Sequence, residues 1–300
     1  MPSNKTTYLF DVNPKTPPIM MIEPGAEVRL QVRGAFDDIE DIAAVPVPFT
    51  PACDGHPLAP ITGPILVNGA EVGDSIAIDM LEIVPFGEGR NAIVRDFGML
   101  AKEFAQPKII QCPIRDGMAW FGNRIPIALE PNLGTISTMP PEGYRPSHAG
   151  AYGGDFDQKS AGQAGSRLHL PVLVPGALLF FGDPHAVVSD GIVSGTGVEC
   201  SVNLRARITL NKRQRIDRPI IETKDTVEIV GWGPSVEAAS EDCTRGAVDY
   251  VAANTRLGRE EAYMLLGIIG ELRVGTSPRP TMAARLVIPR APLRAAGYDG

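Results

Sequence analysis

The chain has 300 residues, of which 44% are hydrophobic and 21% charged, a composition typical of a globular protein with a large core. Its formal net charge of −7 and its pI near 5.2 argue against nucleic acid or an anionic membrane as a partner. The four cysteines are widely spaced and form no Cys-x-x-Cys pair, and the first residues lack the basic start and apolar run of a signal peptide. We therefore expect a protein of the reducing cytoplasm.

Turn signals followed by apolar runs predict strands in the first two thirds of the chain. A Pro-Gly or Val-Gly turn precedes the runs 27–32, 75–84 and 178–181, and proline and glycine set the φ angles that such reversals need. Residues 110–170 are rich in glycine, proline and asparagine with few convincing strands, so we expect an irregular functional segment there. Apolar and polar residues then alternate from Val198 to Leu210, which predicts a strand with one face in the core.

Helix signals come last in the chain. Ser235 is the predicted N-cap of a helix that stops at Gly258, with acidic residues early and Arg256 late. A shorter helix is predicted from Arg259 and a closing strand over 285–289. The predicted fold class is mainly β: a jelly-roll-like β-sandwich over residues 1–220, with a small α+β portion over residues 221–300 packed on it.

Two acid-bearing segments carry the strongest functional signal. Asp155 and Asp157 lie in the run GGDFD, and Asp183 and His185 lie in GDPH, which we predict to be a turn after a buried strand. Residues i and i+2 of an extended chain point to the same side, and like carboxylates that meet repel unless a cation or a shared proton lies between them. We therefore predict a divalent metal held by these four residues; zinc fits the mixed oxygen and nitrogen ligands best, while calcium and manganese stay open. In the alternative reading, the acids only cap N–H groups in glycine-rich turns.

Candidate catalytic groups are acids and histidine rather than a side-chain nucleophile. The sequence contains neither a Gly-x-Ser-x-Gly nor a Ser-x-x-Lys motif, so hydrolysis would need an activated water and a group that takes its proton. Asp190, Glu199 and His185 are the candidates, because both acids flank the turn that follows His185. His56 and His148, in other turn-rich stretches, are weaker candidates.

The same segments resemble those of the acetamidase/formamidase family. GGDFD, LPVLVPGALLFFGDPH and SGTGVE are similar to motifs of that family in the same order, as are ITGPILVNGAEVGDSIAIDM (61–80) and the lead-in 130–134, so the resemblance spans most of residues 10–290. It implies a β-rich hydrolase that acts on the C–N bond of a small linear amide such as formamide or acetamide. It also implies a homodimer or larger homo-oligomer.

Two positions depart from the family pattern. Asp155 stands where the family has asparagine, and Ile192 stands where its Gly-Asp-Gly-Glu turn has glutamate. Isoleucine can neither ligate a metal nor accept a proton. If the family's glutamate has an acid role, Asp190 or Glu199 would have to fill it here. A second reading therefore stays open: catalysis lost or altered, leaving a metal-stabilised binding protein or a hydrolase of another small substrate.

Overall fold

The structure, a computed structural model, describes residues 8–9, 12–37, 39–46, 60–145, 148–275 and 280–300. It is 43% strand and 14% helix, which confirms the predicted mainly β class. Within the described residues the strands, numbered β1 to β18, are Tyr8–Leu9, Met20–Ile22, Glu27–Val32, Ile61–Val67, Ser75–Ile93, Lys108–Arg115, Met118–Phe121, Ile125–Ala128, Asn132–Ser137, Ala149–Gly150, Gly153–Asp155, Arg167–Pro171, Leu179–Val187, Val198–Asn211, Ile220–Glu222, Thr226–Gly233, Glu271–Val274 and Met282–Pro289. The helices α1 to α3 are Val236–Asn254, Arg259–Ile269 and Arg290–Ala295.

The centre of the curled sheet is the antiparallel pair β5 and β14, its two longest strands. On its other side β14 borders β3 and, at its start, β13. β13 also pairs with β4 and β9, and β9 pairs with β11. The pairings continue from β5 through β12 and β15 to β16 and β18. Apolar side chains from β3, β4, β5, β13 and β14 meet in one main core.

The alternation predicted for β14 is confirmed. Val202, Leu204 and Ala206 are buried in the main core, while Asn203 and Arg207 on the opposite face are exposed. Side chains of successive strand residues point to opposite faces, which is why the sequence pattern identifies this strand.

The C-terminal helices cover a second core formed with β16 and β18. Apolar residues of α1 and α2 pack there against Val227, Ile229 and Ile288. Ser235 accepts a hydrogen bond from the Ala238 amide at 3.1 Å and is the N-cap that the sequence predicts. None of the helices in the described part of the chain is long and apolar enough to cross a membrane.

The predicted end of the first helix was wrong. α1 ends at Asn254, and Gly258 is the N-cap residue of α2, where its N–H donates to the Glu261 carboxylate at 3.0 Å. The Thr255 hydroxyl donates to the carbonyl of Val251 and accepts from a following amide, so the chain leaves the helix before the glycine.

The prediction that residues 110–170 are largely irregular was also wrong, because β6 to β12 run through this segment. The division at residue 220 stays a prediction. β15 spans that point and pairs with β12 on one side and β16 on the other. The second core lies wholly after residue 220, whereas the main core also takes in Ile221, Val230 and Ala283 from that part of the chain.

Candidate active site

His185 lies in the middle of the sheet, between β9 and β14. It is the direct cross-strand neighbour of Asn132 on β9 and of Glu199 on β14. Its Nδ1 lies 3.1 Å from Asn132 Oδ1, and its Nε2 lies 3.2 Å from Glu199 Oε1 and 3.8 Å from Asp183 Oδ2. Strand register therefore fixes the positions of both ring nitrogens, and Nε2 faces two carboxylates.

The GDPH segment is part of strand β13, so the predicted turn at Asp183 and His185 was wrong. Asp183 adopts a φ of 52° inside the strand and Asp157 a φ of 45° just beyond β11. The predicted shared direction of Asp155 with Asp157, and of Asp183 with His185, assumed an extended backbone. Neither Asp157 nor Asp183 has one. The two carboxylates nevertheless meet His185: ligand atoms of Asp157, Asp183 and His185 all lie within 4.8 Å of one another.

Gly134 on β9 makes room for this convergence. A Cβ atom there would lie 2.3 Å from Asp157 Oδ1 and 2.5 Å from Asp183 Oδ2, far inside van der Waals contact. The Gly134 carbonyl also accepts the Asp157 amide at 3.1 Å. The absence of a side chain at this position lets two acids from different segments share one small space.

Asp155 lies at the edge of the same cluster. It pairs with Thr135 on β9, whose neighbour on the other side is Gly182 of β13. Its carboxylate is close enough to Asp183 to contribute to the shift in that residue's pKa. Asp155 is only 3% exposed, so its charge acts on the cluster with little screening by solvent.

Glu199 lies on the face of β14 that turns away from the main core, yet it is 4% exposed because that face covers the acidic cluster. Its Oε1 accepts the Gly197 amide at 2.8 Å. Its Oε2 is buried and has no hydrogen-bond partner among the described residues, and the same holds for Asn132 Nδ2. Buried polar atoms are nearly always paired, so these two atoms indicate a site for a ligand or water.

The charge of the cluster is strongly unbalanced. Four carboxylates and one imidazole, Asp155, Asp157, Asp183, Glu199 and His185, are each at most 7% exposed. Burial and the neighbouring carboxylates raise the pKa of Asp183 well above its ordinary value, against the opposing effect of His185. Burial lowers the pKa of His185, but Glu199 and Asp183 outweigh it and raise that pKa to about 10. Without a further cation the cluster therefore holds protons, which a divalent ion would replace.

Asp190 is engaged elsewhere. Both of its carboxylate oxygens bind the buried guanidinium of Arg285, at 2.8 and 3.0 Å, and Arg273 lies 3.6 Å away. Ile192, in the same turn, is buried, so the family's glutamate position is occupied by an apolar side chain. His148 contributes its carbonyl, which accepts the Asp155 amide at 3.0 Å. His56 lies outside the described residues.

Comparisons with known proteins identify the family of the chain. The sequence model of the acetamidase/formamidase family matches residues 128–291, more than half of the chain. The chain belongs to the acetamidase/formamidase family. It is therefore an amidohydrolase, and the family match includes every residue of the cluster described above. No curated protein matches the sequence.

Solved structures of similar fold cover nearly the whole chain. An acetamidase from Yersinia enterocolitica is 28% identical with a TM-score of 0.87, over 95% of this chain and 89% of that one. An acetamidase from Bacillus halodurans is 27% identical with a TM-score of 0.89, over 97% of both chains. An acetamidase/formamidase predicted in Thermoanaerobacter tengcongensis, 23% identical, shares the fold with a TM-score of 0.88 over 98% of this chain and 96% of that one.

Asn132 and Gly134 belong to the candidate site but are absent from the sequence-based prediction. Both belong to the lead-in segment 130–134, which resembles the family but whose sequence indicates no role for either residue. Their importance depends on strand register, since Asn132 faces His185 and Gly134 faces two acids only after β9 pairs with β13.

Proposed function

We propose that this amidohydrolase cleaves the C–N bond of a small linear amide, of the size of formamide or acetamide, at the cluster around His185. Asp157, Asp183 and His185 would hold a divalent metal ion, with Asp155 adding negative charge beside them. Zinc suits a donor set of carboxylate oxygen and imidazole nitrogen best. The protein would work as a homodimer or larger homo-oligomer, which its molecular mass in solution tests directly.

The observation that carries this proposal is the orientation of the His185 ring. The carbonyl oxygen of Asn132 lies 3.1 Å from Nδ1, so Nδ1 carries the proton and donates it. That leaves Nε2 as the atom that faces the carboxylates of Asp183 and Glu199. An unprotonated nitrogen cannot face two carboxylates unless a proton or a metal ion lies between them, and a metal-binding histidine typically donates its other N–H to an oxygen as His185 does here.

The donor chemistry of the cluster fits such an ion. Its carboxylates are buried, their charge is not balanced by the single imidazole, and Glu199 Oε2 and Asn132 Nδ2 have no hydrogen-bond partner among the described residues. When bound, a divalent metal lowers the pKa of a water molecule to about 7 and polarises the amide carbonyl.

Glu199 would move the proton. Its Oε2 accepts a proton from the attacking water and passes it to the leaving nitrogen, so that water and amide become a carboxylic acid and ammonia. Gly197 holds Oε1 through its amide, which keeps the carboxylate fixed while Oε2 acts. Asp190, with both oxygens on Arg285, would orient its turn rather than take this proton.

Ammonia release from formamide and acetamide tests the role of Glu199. We expect Glu199→Gln to bind metal but to lose about 10²- to 10⁴-fold in kcat, the usual contribution of general acid–base catalysis. Glu222→Gln is the matched control, because Glu222 also pairs with a histidine, His169, at 3.5 Å but lies outside the cluster. Full turnover by Glu199→Gln would remove Glu199 from the mechanism.

A further inference from the structure

Arg285 on β18 is a fully buried cation whose partners lie on three separate parts of the chain. The residue is 1% exposed. Its Nε donates to Glu228 at 2.6 Å, its Nη1 donates to Gln158 Oε1 at 2.9 Å, and both Nη atoms bind Asp190. The rigid fork of an arginine makes such multiple contacts possible, whereas a lysine offers only a point charge.

Two of these contacts lead to the segment that carries Asp157. Gln158, the next residue, accepts from Arg285 and donates from Nε2 to the carbonyl of Phe156 at 2.7 Å. Ser160 donates to the Glu228 carboxylate, the other ion of the buried pair. Residues 156–160 are thus fastened at two points to the Arg285–Glu228 pair.

Asp157 needs such support because of its backbone. Its φ of 45° is in the left-handed region, which L-residues other than glycine rarely adopt. A residue in that region persists only where its surroundings hold it, and the hydrogen bonds of Gln158 and Ser160 hold the backbone on its C-terminal side.

We propose that Arg285 is a positioning residue for the metal site: through Gln158 it holds the Asp157 carboxylate in place for cation binding, and through Asp190 it holds the turn before Ile192. Arg285 acts on Asp157 indirectly, because its hydrogen bond to Gln158 supports the backbone of residues 156–158. This inference rests on the proposed function, since it assigns Asp157 to a metal ion.

Gln158→Leu tests the inference without removing the buried cation. It deletes the contact with Arg285 and leaves Asp157 itself unchanged. We expect affinity for Zn²⁺, measured by competition with a chromogenic chelator, to fall by about 10- to 100-fold, the usual effect of losing a partner that orients a ligand. Ser160→Ala, a smaller change that removes the second fastening point, should weaken Zn²⁺ binding in the same direction by several-fold.

Thr226→Val is the matched control. The Thr226 hydroxyl donates to Glu228 at 3.0 Å, so its loss disturbs the same buried network without touching residues 156–160. We expect it to lower the melting temperature of the metal-free protein about as much as Gln158→Leu, and to leave Zn²⁺ affinity unchanged. Hydrogen exchange of the Asp157 amide, which is bonded to the Gly134 carbonyl, should accelerate only in the Gln158 and Ser160 variants.

The outcomes separate this inference from the proposed function. If the wild type binds Zn²⁺ and Gln158→Leu and Ser160→Ala bind it equally tightly, the positioning role is wrong while the proposed function stands. An equal loss of affinity in Thr226→Val would make the effect one of general stability and would also overturn the positioning role. A wild type that binds no divalent metal overturns both.

Discussion

Gly134→Ala is the substitution whose effect the structure defines most sharply. The added methyl group would lie 2.3 Å from Asp157 Oδ1 and 2.5 Å from Asp183 Oδ2, where ordinary contact begins at 3.4 Å. Both carboxylates would have to retreat by roughly 1 Å, about five times the tolerance of ±0.2 Å for metal–ligand distances. The φ of Gly134 is outside the left-handed region, so alanine meets no backbone strain there.

The expected loss is in cation binding more than in folding. Displacing two ligands should weaken Zn²⁺ binding by at least about 100-fold, equivalent to about 2.7 kcal/mol of binding free energy. Chelator competition measures the affinity, and thermal melting of the metal-free protein measures stability. Gly267→Ala is the control, because Gly267 lies in α2 with no atom within 4 Å of an added Cβ. Wild-type affinity in Gly134→Ala would refute the ligand assignment.

Three further predictions concern acid stability, helix capping and the turn at Ile192. Burial raises the pKa of Asp74, but hydrogen bonds from Lys212 and two backbone amides outweigh it and lower that pKa to about 2. Ionised Asp74 therefore stabilises the folded protein fully above about pH 4, and this contribution disappears as the pH falls towards 2. Urea titrations should show Asp74→Asn less stable at pH 7 by about 1–2 kcal/mol, with the gap closing in acid, and a gap that widens in acid would contradict the assignment. Ser235→Ala should cost about 1 kcal/mol and Ser235→Gly only a few tenths, measured by the same titrations, and equal effects would argue against the cap. Ile192→Glu should not raise ammonia release, because Glu199 already supplies the acid; a gain would mean that the site lacks one.

The fold follows from the sequence wherever the signal is local. The alternation along β14 is visible because one face of the strand packs in the core, and Ser235 is visible because an N-cap depends on the next three residues. The helix end predicted at Gly258 was wrong because a glycine after a helical pattern is typical of a C-terminal stop, whereas here it is the N-cap of the next helix.

The candidate site depends on contacts between distant parts of the chain, which no local sequence pattern reveals. The acids of the cluster were identifiable as residue types close together in sequence. Asn132 and Gly134 were not, because they reach His185 and the acids only through the pairing of β9 with β13. The engagement of Asp190 by Arg285, 95 residues away in the chain, is equally non-local. In residues 110–170, β9 and β12 pair with strands far away in sequence, β13 and β5, whereas β7 and β8 form a local hairpin that the glycines and prolines of the segment also concealed.

Metal content measured together with ammonia release tests whether the cluster around His185 hydrolyses amides with a bound metal ion. The protein would be purified without chelator, analysed for bound metals, and assayed with formamide and acetamide before chelation, after exhaustive chelation, and after Zn²⁺, Mn²⁺ or Ca²⁺ is returned. We expect about one divalent ion per chain, ammonia release that chelation abolishes, and recovery with one of these ions. Ammonia release that persists after all metal has been removed would contradict it.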